Sequence, residues 1–227
     1  MRTRSHFRHH AIVAAATSLA LVAVGCGPAP AGSPALTSPS VGAASPSARS
    51  AALVWPAPSD PMERTVQAGL KPQPKEFLNT HVHAHLDVFV DGKPVAVPAG
   101  IGVKIDDPAV LVQDMPDGTK RYGGIQLCNE PCISPLHTHG VDGILHTESS
   151  EAKPNTLGEF FIEWGVALDA SCVATFCSPA TTIAIYVDGT ITPGDPRAIQ
   201  IIDLREIAIV IGTPPATIPK SADFSNA

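Results

Sequence analysis

Three histidines fall within ten residues in the stretch Leu136-His137-Thr138-His139-Gly140-Val141-Asp142-Gly143-Ile144-Leu145-His146-Thr147-Glu148. The segment reads as two short strands around a Gly-x-Asp-Gly turn. With the turn centred on Val141 and Asp142, the register pairs His139 with Ile144 and His137 with His146. Two-residue alternation then puts His137, His139 and His146 on one face. Opposed Cβ atoms in such a hairpin are about 4.5–5.5 Å apart and diagonal ones about 7–8 Å, so three imidazoles can converge on one ion. Neutral imidazole is the commonest protein metal ligand, and three of them leave a fourth position for water or substrate. The competing reading is a polar outer face that carries three incidental histidines.

A second set lies upstream in Thr80-His81-Val82-His83-Ala84-His85-Leu86-Asp87-Val88-Phe89-Val90. Alternation sends Val82, Ala84, Leu86, Val88 and Val90 to one face and the core. His81, His83, His85 and Asp87 take the other face. Neighbours on one strand face are nearly 7 Å apart and the outer two histidines about 13 Å, so two ligands rather than three are expected here. Which two is open. These six are all the histidines beyond the leader. Asp87 and Glu148 are candidates for a supporting carboxylate or a base. If the two segments lie side by side, about 4.8 Å apart, their histidine faces can point the same way. One shared centre using both His83 and His146 is therefore expected. Imidazole suits Cu(II) and Zn(II), whereas methionine is nearly absent after the leader (Met62 and Met115), which argues against a thioether site for Cu(I).

The elements that must hold these residues suggest a mainly β (α+β) fold: antiparallel hairpins with one short amphipathic helix packed on them. Asp91-Gly92 should turn a hairpin into Lys93–Val97, with Ile101–Ile105 continuing the sheet. Residues 106–124 lack a regular pattern and are a candidate loop over the site. Thr156-Leu157-Gly158-Glu159 is a capping box, opening a helix whose Leu157, Phe160, Phe161 and Trp164 recur at helical spacing and which stops at Gly165. Strands are expected at Thr182–Val187, Ala198–Ile202 and Glu206–Ile211. The likeness of Val88-Phe89-Val90-Asp91-Gly92 to Ile185-Tyr186-Val187-Asp188-Gly189 suggests a repeated hairpin unit.

Arg2, Arg4 and Arg8 precede an uncharged apolar run from Ala11 to Val24, the proportions of a secretory signal. Ala23-Val24-Gly25-Cys26 resembles the lipobox of bacterial lipoproteins, with Cys26 as the lipidated residue, although Ala23 stands where leucine is usual. The division expected is signal peptide 1–25, a lipidated cysteine and Ala/Pro/Ser-rich tether 26–61, a short helix and connector 62–78, a histidine-rich β domain 79–213 and a flexible tail 214–227. Asp60-Pro61 looks like a helix start and Gly69 a stop. Loss of the leader takes three of 15 basic residues, leaving 12 against 21 acidic ones, net −9, and nothing basic to bind nucleic acid. Cys128, Cys132, Cys172 and Cys177 are even in number in an oxidising compartment. Local pairs are favoured over zinc thiolates, though spacing alone does not choose among the three pairings.

The chain resembles a family of uncharacterised exported bacterial proteins. The resemblance rests on His81-x-His83-x-His85-Leu86, Val97-Pro98-Ala99-Gly100-Ile101-Gly102, Leu136-His137-Thr138-His139, Gly143-Ile144-x-His146-x-Glu148-Ser149 and Thr156-Leu157-Gly158-x-Phe160-Phe161-x-x-Trp164-Gly165. It implies export or membrane anchoring and points to no established activity. Better-known histidine patterns fit poorly. An amidohydrolase barrel needs about 250 residues, a cupin expects a glutamate where Val141, Asp142 and Gly143 stand, and the disulfide and arginine segments of copper–zinc superoxide dismutase have no counterpart. The leading expectation is a lipoprotein on the outer face of the cytoplasmic membrane that binds Cu or Zn without catalysis. The alternatives are a metal-dependent enzyme with an open tri-histidine centre and an adhesive or assembly module.

Overall fold

The structure is a computed structural model and describes residues 53–225. Cys26, the expected signal segment and the tether up to residue 52 lie outside the described residues. Helix α1 spans Pro61–Gln67, with proline in its first turn as anticipated. Asp60 does not cap it through its side chain; its carboxylate takes Arg64 at 3.5 Å instead. Strand β1, Thr80–Val90, buries Ala84, Leu86 and Val88, and Asp91-Gly92 (φ 48° and 75°) turns it into β2, Lys93–Val95. That left-handed pair matches the right-handed twist of the flanking strands.

Two expectations fail in the next stretch. Ile101–Ile105 forms no strand, because Gly100 and Gly102 adopt φ of 77° and 71° and curl the chain. Its backbone instead bonds Thr138 and Ser134: the Ile101 carbonyl accepts the Thr138 N–H at 3.0 Å and the Gly102 carbonyl that of Ser134 at 2.7 Å. Residues 106–124 are not patternless either. They contain a two-stranded ribbon, β3 at Leu111–Asp114 and β4 at Lys120–Gly123. All four residues of β3 are exposed, so the ribbon has little of the hydrophobic alternation that would betray it.

Strands β5, Leu136–His137, and β6, Ile144–Ser149, follow. Helix α2 spans Leu157–Trp164 with both halves of the Thr156/Glu159 capping box made and Gly165 left-handed at its end. A small ribbon, β7 (Cys172–Val173) and β8 (Phe176–Cys177), leads to β9 (Ile183–Val187) and β10 (Thr190–Ile191). The strand expected at Ala198–Ile202 is absent. A 3₁₀ turn fills Pro196–Ala198, where Asp195 caps Arg197 N–H and proline fits the first turn, and only Gln200 bridges, to Thr156. Strand β11, Arg205–Ile211, closes the sheet.

The sheet runs β10-β9-β11-β1-β6-β5, with β2 also on β1. Its pairings are antiparallel except β1 with β11, which is parallel. The described residues are thus mainly β with two short α-helices, a small single domain. On one face of β1, Ala84, Leu86 and Val88 meet Ile207, Ile209 and Ile211 of β11 and the buried Leu157, Phe160, Phe161 and Trp164 of α2. Each such side chain contributes about 1.5–3 kcal/mol by leaving water. Trp164 Nε1–H also donates to the Trp55 carbonyl at 3.0 Å. A lesser core of Val103, Val110, Ile125 and Ile133 surrounds the Cys128–Cys132 disulfide beneath the β3–β4 ribbon. The second bridge joins Cys172 to Cys177 across β7–β8. Both cysteine pairs are local, and their bonded sulfurs are not available as thiolate ligands. The described part of the tail, residues 214–225, has no regular structure, and just before it Thr213 N–H donates to Asp91 Oδ1 in the first Asp-Gly turn at 3.1 Å.

Candidate metal centre

Strand β6 lies between β1 and β5, and this order brings the two histidine segments together. His146 is opposite His83 on one side and His137 on the other, while Glu148 is opposite His81. Three imidazoles therefore form a row across three strands, on the sheet face away from α2. Ring centroids are 4.6 Å apart for His83–His146 and 5.5 Å for His137–His146. Every residue of β6 is buried: Leu145 lies in the core with the α2 side chains, while His146 and Glu148 face a cavity shared with Leu111, Gln113 and Arg121 of the ribbon.

His139 arrives differently from the simple hairpin register. Pairing of β5 with β6 ends at His137, since Gly143 gives its carbonyl to Leu86 N–H at 2.9 Å and is drawn onto β1. Only glycine fits there: φ is 77°, and a Cβ would lie 2.8 Å from the Leu86 carbonyl oxygen. The chain between swings out to the ribbon, where the His139 carbonyl accepts the Tyr122 N–H at 3.0 Å. Its ring returns to within 4.3 Å of His146, centroid to centroid.

The hydrogen bonds fix which nitrogens face inward. His137 Nδ1–H donates to the Ser134 carbonyl at 2.9 Å, and His139 Nδ1–H donates to the Tyr122 carbonyl. Each neutral ring then keeps an unprotonated Nε2. These two lone-pair nitrogens face each other at 3.3 Å. With no proton between them they repel, but on a tetrahedral ion with bonds of about 2.0–2.1 Å two nitrogens sit about 3.3–3.4 Å apart. Metal-bound histidine characteristically gives its other N–H to a carbonyl or carboxylate in this way.

His146 has no partner for either ring nitrogen among the described residues, nor has Glu148 Oε2. Each such buried orphan costs about 1–3 kcal/mol, a cost that coordination removes. Ligand atoms of His137, His139, His146 and Glu148 all lie within 4.8 Å of one another, and all four residues are buried. Glu148 Oε2 is 3.9 Å from His137 Nε2, and Oε1 is 3.8 Å from His146 Nδ1. Its backbone is clamped by bonds to Gln73 and Pro135. Burial keeps the imidazoles uncharged: it drives His146 down to about 2, holds His137 well below the usual range and lowers His139, the neighbouring histidines adding to the effect at His137 and His146. Neutral imidazole is the form that ligates.

His81 and His83 form a second group with Glu148, again within 4.8 Å. His85 joins neither, and instead makes a further group with Asp87 and Glu206, whose ligand atoms also lie within 4.8 Å of one another. Its Nδ1 meets Glu206 Oε2 at 2.9 Å and its Nε2 the Asp142 carbonyl at 2.9 Å, with Asp87 at 3.8 Å. Burial opposes its charge, but the Glu206 hydrogen bond and carboxylate outweigh it and raise the His85 pKa, and burial raises Glu206 as well. The pair therefore retains a proton and ties the 140–143 loop to the sheet. Of the three β1 histidines, His81 and His83 are thus the two brought to the centre, and Asp87 stands beside His85.

Glu206 is legible only as a lone acid at the start of the apolar Ile207–Ile211 run, and Arg121, which donates to Asp142 Oδ2 at 2.8 Å, has no local signal. The Ser134 and Tyr122 carbonyls are announced by no residue type. A cavity of about 410 Å³ opens onto the centre, lined by Glu76, His81, Arg121, His139, His146 and Glu148. These buried histidine and glutamate clusters could bind metal. No protein-family model, curated protein or solved structure matches this chain.

Proposed function

We propose that the protein is an exported, membrane-anchored binder of Cu(II) or Zn(II), which sequesters the ion or hands it on outside the cytoplasmic membrane. The observation that carries this reading is the 3.3 Å approach of His137 Nε2 to His139 Nε2, with each Nδ1 committed to a backbone carbonyl. That spacing suits two ligands of one ion and is unfavourable for two free imidazoles. Glu148 beside His137, His139 and His146 supports a four-ligand shell of the kind that holds metal, rather than the three-ligand shell of a catalytic site. Two local disulfides suit an oxidising compartment, and Cys26 is the anchor in this proposal. No helix among the described residues is long and apolar enough to cross a membrane.

The test is elemental analysis of exported protein purified without a histidine tag. Stoichiometric copper or zinc is expected, and at least a hundredfold loss of affinity in His139→Ala; metal-free protein that also fails to bind either ion in titration refutes the proposal. Cys26→Ala should release the protein from the membrane fraction. Undiminished membrane association in that variant removes the anchor from the proposal and leaves the metal site in it.

A further inference from the structure

The inner group of His137, His139, His146 and Glu148 leaves His83 and His81 unexplained, although both stand on the same sheet face. His83 faces His146 across the β1–β6 pair, and its Nε2 is buried without a hydrogen-bond partner among the described residues. His81 packs edge-on to His83 with centroids 4.6 Å apart, and its Nε2 lies 3.3 Å from Glu148 Oε1. Glu148 reaches both groups. Its Oε2 lies 3.9 Å from His137 Nε2, and its Oε1 lies 3.3 Å from His81 Nε2 on one side and 3.8 Å from His146 Nδ1 on the other.

We propose that the centre binds two divalent ions bridged by Glu148, an inner one at His137, His139 and His146 and an outer one at His81 and His83. This rests on the metal-binding reading above and extends it from one ion to two. A bridging carboxylate holds two ions about 3.5–4 Å apart in known two-metal sites, and the groups are close enough for that because they share one glutamate. The ions differ in access. The three inner histidines are buried, whereas the His81 side chain is 43% exposed and lines the cavity that opens to solvent. With three protein ligands, the outer ion keeps a position for water or an exchanging ligand. Glu76 lines the same cavity with Oε1 buried and unpartnered among the described residues. It lies outside the 4.8 Å group and offsets charge at the outer position. The outer ion is the one that arrives last and leaves first.

Copper titration of the untagged, chelator-stripped protein tests this, using wild type and the His81→Ala/His83→Ala variant. The wild type should take two equivalents of Cu(II). The paramagnetic resonance signal of the first should be that of an isolated ion, and the signal after the second should fall short of double through coupling across Glu148. The variant should take one equivalent with the first-ion spectrum retained, which also shows that it has folded; fluorescence of the packed Trp55–Trp164 pair provides an independent check of the opposite face. One equivalent in the wild type, two in the variant, or two magnetically isolated ions in the wild type would each overturn the bridged pair while leaving the inner site standing. Loss of both ions in a folded variant would mean a single shared centre and also overturns it. No copper bound by the wild type would remove the inner site too.

Discussion

Burial of the inner histidines has a direct consequence for how metal and protons compete. An imidazole with the ordinary pKa near 6.5 carries about three-quarters of a proton at pH 6, so three of them must give up about 2.3 protons to accept a metal ion. In this protein His146 is driven down to about 2, His137 lies well below 6.5 and His139 is lowered, so little is left to displace. Loading one equivalent of Zn(II) at pH 6 should therefore release less than one proton. At that pH a zinc-bound water, which titrates near 7, adds little. The assay is calorimetric titration in buffers of different ionisation enthalpy, where the slope of heat against buffer enthalpy gives the proton number. Affinity should be correspondingly flat. Three ordinary histidines lose about a thousandfold between pH 8 and pH 5.5 by proton competition, and here the loss should stay below tenfold. The folding equilibrium pays in the opposite sense. A lowered histidine pKa means that the unfolded chain binds more protons than the native one, so metal-free protein should lose stability as pH falls below 6.5. Release of two or more protons at pH 6 would refute the argument that these rings are held neutral and aimed inward before metal arrives.

Saturating metal at a thousand times its dissociation constant should add about 4 kcal/mol, or about 8–16 °C in Tm for a domain of this size; thermal melts with and without a chelator measure it, and an unchanged Tm argues against the site. Glu163, fully buried in α2, is raised by burial to about 8, with the nearby Ser134 and Thr65 side chains offsetting it only in part. A raised carboxyl pKa holds a proton that the unfolded chain has lost above about 4.5, so wild-type stability should decline as pH rises towards and through 8. Glu163→Gln should remove that decline, worth on the order of 3 kcal/mol between pH 6 and pH 9 at about 1.4 kcal/mol for each of the two units below 8, as read from urea midpoints at those two pH values. Denatured, unreduced protein should expose no thiol from Cys128, Cys132, Cys172 or Cys177, and reduction should cost about 2 kcal/mol per bridge, given such small loops. Mass mapping that found an alkylated cysteine among the four would contradict the two bridges.

Much of this arrangement is local and so is written in the chain. Period-two alternation fixes which side of β1 carries His81, His83 and His85, whatever the strand pairs with. The Thr156–Glu159 box, the Gly165 stop and the Asp91-Gly92 turn depend on backbone chemistry within a few residues, and each forms where the residue types say. The pairing of His137 with His146 forms in the register that the hairpin pattern suggests, although the tight turn expected between them gives way to a longer excursion to the ribbon. What local pattern cannot carry is which strand lies beside which. The row His83–His146–His137 exists because β6 inserts between β1 and β5, and that order is decided by burial of the opposite, apolar face against α2. The same limit explains the failures: Ile101–Ile105 has strand composition but spends its backbone bonds on Thr138 and Ser134, and the β3–β4 ribbon has no buried face of its own to mark it. His81, His83 and His85 are equivalent by sequence, and only the parallel neighbour β11, by setting Glu206 beside His85, takes one of them away from the centre. Long-range pairing thus chose the ligands from candidates that alternation had already turned to one face.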